Sequence, residues 1–184
     1  MDQRAKNYQA LLSGNQEVLT DIIRDYRDGL VLYINGIVQN ITIAEELAED
    51  VFVKLVMKRP RFSSDSSFKT WLYAIGRNLA ISYLRRQKHI HIPLENCPEL
   101  TDEEINLERQ YMHKEQQMFL HYAMKKLKLE YRQVLWLVYF EGLSQKETAR
   151  IMGKTVHNVE TLAYRARQAL KAKLLEEGFE YENL

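Results

Sequence analysis

The chain has 184 residues, of which 46% are apolar and 28% charged, with a formal net charge of +1. This is the composition of a soluble globular protein, long enough for one large domain or two small helical ones. A single cysteine, Cys97, excludes an internal disulfide and fits a reducing compartment. No apolar run approaches the ~18 residues of a membrane span. The longest clear one is Val134 to Phe140, so no membrane insertion is expected. The opening MDQRAKNYQALLSG lacks the apolar core of a signal peptide, and the expected location is the cytoplasm. Charge is unevenly spread. Residues 1–90 hold 13 basic against 10 acidic side chains, residues 91–110 hold 1 against 6, and residues 111–184 hold 12 against 9. Two mildly basic halves thus flank an acidic link.

In chain order, Arg4 to Ser13 reads as a short helix closed by Gly14. A longer helix is predicted from about Gln16 to Gln39, because Leu19, Ile22, Ile23, Tyr26, Leu30, Tyr33, Ile34 and Ile37 recur at helical spacing. Thr42 and Glu45 have capping-box spacing and predict a third helix over about Ile43 to Lys58. Leu47, Val51, Phe52 and Leu55 fall on its neighbouring faces, while Glu45, Glu46, Glu49 and Asp50 crowd its first turns. Four carboxylates could hold a metal, but acids favour helix N-termini and water, and no histidine accompanies them. No metal is expected there. Pro60 stops this helix, and the loop Phe62-Ser63-Ser64-Asp65-Ser66-Ser67 is rich in turn and capping residues. In the fourth helix, Phe68, Trp71, Leu72, Ile75, Leu79 and Tyr83 should form the apolar side, with Lys69, Arg77, Asn78, Arg85, Arg86 and Lys88 on the remainder. Aromatics among basic residues can stack on unpaired bases. Trp71, lying in the apolar stripe, is assigned to the core instead, and Asn78 with the loop polars are the better candidates for base contact.

The text HIHIPLENCPEL is broken by Pro93 and Pro98 and has poor periodicity, as expected of a linker. His89, His91 and Cys97 offer three zinc ligands without a fourth, so neither a metal nor another cofactor is expected. Thr101 and Glu104 open a helix running to about Lys126, with Leu107, Tyr111, Met118, Tyr122 and Ala123 inward. Another covers Glu130 to Phe140. No fold is read into the acidic tail EEGFEYENL.

The most informative stretch is Gly142 to Leu170, GLSQKETARIMGKTVHNVETLAYRARQAL. Counting from Gln145, a small residue (Ala149) stands at the fifth position, a glycine (Gly153) at the ninth, and apolar residues (Val159 and Leu162) at the fifteenth and eighteenth. Two helices crossing steeply across a short turn need that order of sizes. Ser144 with Glu147 makes a capping box, Gly153 can take the positive φ that ends the first helix, and Thr155 caps the second. Val159, Ala163, Ala166 and Leu170 make an inward stripe. The opposite face shows His157, Asn158, Glu160, Thr161, Tyr164, Arg165 and Arg167, which can offer hydrogen bonds to base edges and charge to phosphates. An ordinary helical hairpin would want the same caps and glycine but not this polar and basic face, so a DNA-binding helix-turn-helix is expected.

Taken together, the two halves resemble a bacterial RNA polymerase sigma factor of the extracytoplasmic-function type. AEELAEDVFVKLVMKRPRF resembles the family's region 2.2, FKTWLYAIGRNLAISYLRR its regions 2.3 and 2.4, and EYRQVLWLVYFEGLSQKETARIMGKTVHNVETLAYRARQALK its region 4. The resemblance implies an all-α fold of two small helical domains, region 2 and region 4 with its helix-turn-helix, joined by a linker. The implied boundaries are 1–90, an acidic linker at 91–106, 107–176, and a tail at 177–184. Its partners would be core RNA polymerase, promoter DNA and an anti-sigma factor, and its role would be to initiate transcription of a stress or cell-envelope regulon without enzymatic activity.

By position, the resemblance places Glu49, Asp50, Val51, Phe52 and Leu55 on the surface that docks on the polymerase. It assigns Phe62, Ser63, Ser64, Asp65 and Ser66, with Asn78 behind them, to capture of a base flipped from the minus-ten element, and Arg77, Arg85 and Arg86 to the DNA backbone. The helix from Val156 would enter the major groove at the minus-thirty-five element, with Thr155, His157, Asn158, Glu160, Thr161, Tyr164, Arg165 and Arg167 facing DNA. Departures from the family pattern are Glu160 and Leu162, where Lys or Arg is frequent, Thr148 for a larger aliphatic, and Leu129 for proline. Glu160 either accepts a hydrogen bond from a cytosine amine or pairs internally, for example with Tyr164 or Lys154. The alternative to a sigma factor is a helix-turn-helix regulator that acts without binding polymerase core.

Overall fold

The computed structural model describes residues 3–63, 65–89, 120 and 122–176, and among these every regular element is helical. The chain divides into two compact units, residues 1–111 and 112–184. The linker at 91–106, the tail at 177–184, Ser64, the capping box at Thr101, and the side chains of His89, His91 and Cys97 lie outside the described residues.

The first unit is built from α1 (Gln3–Leu12), α2 (Glu17–Val38), α3 (Ile41–Met57) and α4 (Phe68–His89). Helix α2 is the centre, packing against each of the other three. Its residues Leu30 to Ile37 are buried without interruption, so the amphipathic stripe read from the sequence becomes a helix wrapped on all sides in its second half. Gly76 of α4 faces it where a side chain would not fit. A Cβ there would stand 2.8 Å from Leu30 Cδ1 and 3.4 Å from Ile34 Cδ1.

Two local expectations are corrected. Helix α3 starts at Ile41, and Asn40 caps it by accepting from the Ile43 amide at 2.9 Å; Thr42 does not cap. Asparagine in an extended conformation is as good a cap as any residue, and this start places Ile41 and Ala44 in the core. Glu45 then reaches Arg27 at 3.5 Å. The inward face of α4 is rotated from the predicted one. Phe68, Leu72, Tyr73, Gly76 and Ala80 are buried, whereas Trp71, Ile75, Leu79 and Tyr83 are half-buried.

In the second unit, residues 122–125 are helical and bring Ala123 and Met124 into the core. Buried Arg132 donates to the Leu127 carbonyl at 2.6 Å, satisfying backbone at that helix end. Helix α5 (Leu129–Leu135) follows, with Leu129 as its first residue, the position where a proline is also tolerated. The single α-helix expected over Glu130 to Phe140 instead widens into a π-helical turn at Trp136–Phe140, closed by the Glu141 amide on the Trp136 carbonyl at 3.1 Å. The extra residue in the turn accompanies face-to-face stacking of the Trp136 and Phe140 rings, 4.4 Å apart. The Trp136 indole donates to Glu141 Oε1 at 3.0 Å. Helices α6 (Gln145–Met152) and α7 (Val156–Glu176) complete the unit, and α7 packs on both α5 and α6.

Candidate nucleic-acid interface

The helix-turn-helix forms as its residues dictate. The Ser144 amide donates to Glu147 Oε2 at 3.0 Å, and the Glu147 amide to Ser144 Oγ at 3.3 Å, a closed capping box. Gly153 ends α6 at φ 64°, in the left-handed region where a side chain is strained. The Lys154 amide returns to the Ala149 carbonyl at 3.0 Å, and Thr155 Oγ1 caps α7 by accepting from the Asn158 amide at 3.2 Å. Ala149, Ile151 and Met152 of α6 and Val159 of α7 are buried. The inward stripe of α7 is Val159, Ala163, Ala166 and Leu174, with Leu170 half-buried.

The outward face of α7 and its cap carry every residue assigned to the minus-thirty-five element from the sequence. Thr155, His157, Asn158, Glu160, Tyr164, Arg165 and Arg167 are exposed, and Thr161 is half-buried. Val156, passed over in the sequence, joins them as an exposed apolar residue at the start of the helix, a type suited to a thymine methyl. Lys154 is committed to Glu130 of α5 at 2.8 Å, so it is not held by Glu160. The carboxylate of Glu160 instead lies 4.0 Å from His157 Nδ1, on the same outward face.

In the first unit the α3 residues divide sharply. Glu49 and Asp50 are exposed, but Val51 and Leu55 have no accessible surface and Phe52 is only 6% exposed. These three apolar side chains build the core, because the helix turns them towards α2 and α4. The apolar residues that α3 presents outward are Val53, 56% exposed, and Met57, 76% exposed. They follow Glu49 and Asp50 at helical spacing and, with Asp50, Lys54, Lys58 and Leu79, line a shallow groove between α3 and α4.

The loop before α4 is pinned at its edges. Phe62 is half-buried, its ring edge-on to Trp71 at 5.4 Å and to Phe68 at 5.9 Å, so it serves as an anchor for the loop. Ser63 Oγ donates to Asp65 Oδ2 at 2.6 Å, and Ser67 Oγ caps α4 by accepting from the Thr70 amide at 3.2 Å. Trp71, expected in the core, packs its ring on Tyr8, Phe62 and Phe68 yet keeps part of its surface open. Trp71, Asn78 and Arg85 recur every seventh residue along one side of α4. Asn78, Arg85 and Arg86 are exposed and Arg77 is half-buried.

A helix-turn-helix whose second helix turns a polar and basic face outward, in a chain whose other unit exposes Asn78, Arg85 and Arg86 behind a serine-rich loop, has the architecture of a DNA-binding protein of transcription. Comparison with known proteins sharpens this. The model for Sigma-70 region 2 matches residues 22–90 and that for Sigma-70 region 4 matches residues 119–170. The chain is 30% identical over 162 residues to the RNA polymerase sigma factor YlaC of Bacillus subtilis (strain 168), covering 87% of this chain and 94% of that protein. It is 26% identical over 178 residues to the ECF RNA polymerase sigma factor SigW of the same organism, covering 92% and 95%. Its fold matches that of CnrH, solved in complex with the cytosolic domain of CnrY, with a TM-score of 0.67 at 24% identity over 96% of this chain and 99% of that one. The chain belongs to the sigma-70 family of RNA polymerase sigma factors, in the extracytoplasmic-function group, and its function is to direct transcription initiation.

Proposed function

We propose the following division of labour within this sigma factor. The outward face of α3, with Glu49, Asp50, Val53 and Met57, docks on core RNA polymerase. The loop residues Ser63, Asp65 and Ser66, with Asn78, receive a base extruded from the minus-ten element, while Arg77, Arg85 and Arg86 follow the backbone. Helix α7 enters the major groove at the minus-thirty-five element. Binding free energy for the separated strand drives opening, so the chain needs no catalytic group and acts as a cytoplasmic non-enzyme. The observation that carries the reading is the outward display of Val53 and Met57 beside acidic residues on one helix, in a chain that also exposes a complete recognition helix. A regulator acting without polymerase would have no use for the first surface.

Regulation by an anti-sigma factor belongs to the same proposal. It is supported by the sigma factor RpoE of Bartonella quintana, solved in complex with the anti-sigma factor NepR, which matches this fold with a TM-score of 0.62 at 24% identity. The regulon served is proposed to be one of stress or cell-envelope genes. Gel filtration of the full chain with core polymerase tests the central step. Co-elution is expected. Separate elution, with duplex DNA still bound by the chain alone, would favour the polymerase-independent regulator.

A further inference from the structure

Tyr8 lies on α1, outside every motif read from the sequence, and is fully buried. Its hydroxyl donates to the Pro60 carbonyl at 2.7 Å, across 52 residues of chain. Its ring lies 5.0 Å from that of Trp71 and 5.6 Å from that of Phe68, the same two rings that Phe62 meets edge-on. The loop is therefore tied to one aromatic cluster at two points, the Pro60 carbonyl and the Phe62 ring.

The point of attachment is unusual. Arg59, just before Pro60, has φ 43°, a left-handed conformation that a side chain adopts at a cost. Such a residue persists only where its surroundings fix the chain path, and Tyr8 holds the very next carbonyl. Helix α1 is itself braced on α2 by the ion pair of Arg4 with Asp25. Burial pushes the Tyr8 phenol up to about 12, opposed by the Arg59 guanidinium, so the hydroxyl remains a donor throughout the physiological range.

We propose that Tyr8 is a positioning residue for promoter opening: by gripping the Pro60 carbonyl it fixes the path of the loop so that Ser63, Asp65 and Ser66 meet an extruded base in one arrangement. This rests on the base-capture reading of that loop. The physical benefit is preorganisation. A loop ordered before the base arrives does not have to be ordered at the expense of binding.

Tyr8→Phe keeps the ring cluster and removes only the donor. In the holoenzyme, permanganate reactivity of thymines near the start site should fall about three- to tenfold, the worth of one neutral hydrogen bond. Duplex binding at the minus-thirty-five element should be unchanged, and the thermal transition should stay cooperative, its midpoint lower by no more than the about 4–8 °C that one lost hydrogen bond costs a small domain. In the free protein, amide hydrogen exchange in the loop after Pro60 should quicken while that of α2 stays as it was. Unchanged loop exchange, or faster exchange with normal opening, would overturn the proposal. So would a parallel loss of duplex binding, opening and thermal stability, which is what a purely structural tyrosine predicts. Glycine at Ser63, Asp65 and Ser66 tests the underlying reading in the same assay. Normal opening in that variant sinks base capture itself, whereas impaired opening there with normal opening in Tyr8→Phe removes Tyr8 alone.

Discussion

Truncating Val53 and Met57 together to alanine should separate docking from folding. These side chains are 56% and 76% exposed, so little of either contributes to the core, and the cost to stability should stay within about 0.5 kcal/mol per site. Full burial of a valine or methionine stabilises by about 1.5–3 kcal/mol. Covering the open part of both on docking, less what alanine retains, should contribute about 2 kcal/mol, or roughly thirtyfold in Kd for core polymerase. Phe52→Ala and Leu55→Ala make the opposite pair. Both side chains are buried, and each truncation should cost about 2–5 kcal/mol of fold stability. Titration of a fluorescently labelled chain with core enzyme, alongside thermal melting by circular dichroism, reads both quantities. If the Val53 and Met57 variant binds core as tightly as the parent, docking does not use this face. If Phe52→Ala weakens docking while the melting curve is unmoved, the burial argument is wrong.

Three further outcomes are expected. Thr148 is fully buried and its hydroxyl has no hydrogen-bond partner among the described residues, so Thr148→Val should stabilise the second unit by about 1–3 kcal/mol, seen as a higher melting midpoint; a lower midpoint would mean that the hydroxyl is satisfied. Glu160→Gln and Glu160→Lys, assayed against a randomised minus-thirty-five element, should both relax or switch preference at one or two base pairs by about 1–3 kcal/mol if the carboxylate reads cytosine. Uniformly tighter binding by the lysine variant, with a steeper salt dependence and the same preferred bases, would reduce Glu160 to a charge effect. Asn78→Ala should spare minus-thirty-five duplex binding while lowering permanganate reactivity near the start site, and unchanged reactivity would remove Asn78 from strand capture.

The helix-turn-helix was legible almost atom by atom, because local chemistry specifies each of its bends: Ser144 with Glu147, Gly153 at positive φ, and Thr155. Orientation about a helix axis was harder to read. In α4 the spacing of Trp71, Ile75, Leu79 and Tyr83 marks one apolar side, but α2 and α3 receive a neighbouring strip that includes Tyr73 and Gly76. Gly76 was the available signal, since a small residue in a long helix indicates close approach. The same difficulty explains α3, where resemblance attached a role to the stretch around Val51 and Phe52 without distinguishing its buried side from Val53 and Met57. At the start of α3 the Thr42 and Glu45 spacing misled, and Asn40 caps two residues earlier, with Ile41 and Ala44 in the core. The π-helical turn at Trp136–Phe140 left no mark in the periodicity, since one extra residue in a turn is invisible in a short apolar run.

Run-off transcription on a genomic fragment library, with core RNA polymerase and this chain added separately and together, decides whether the chain directs initiation. Discrete transcripts that require both components, and that share paired sequence elements upstream of their start sites, are the predicted result. Transcripts formed by core alone at the same sites, or none when the two are combined under conditions where the chain binds duplex DNA, would contradict it.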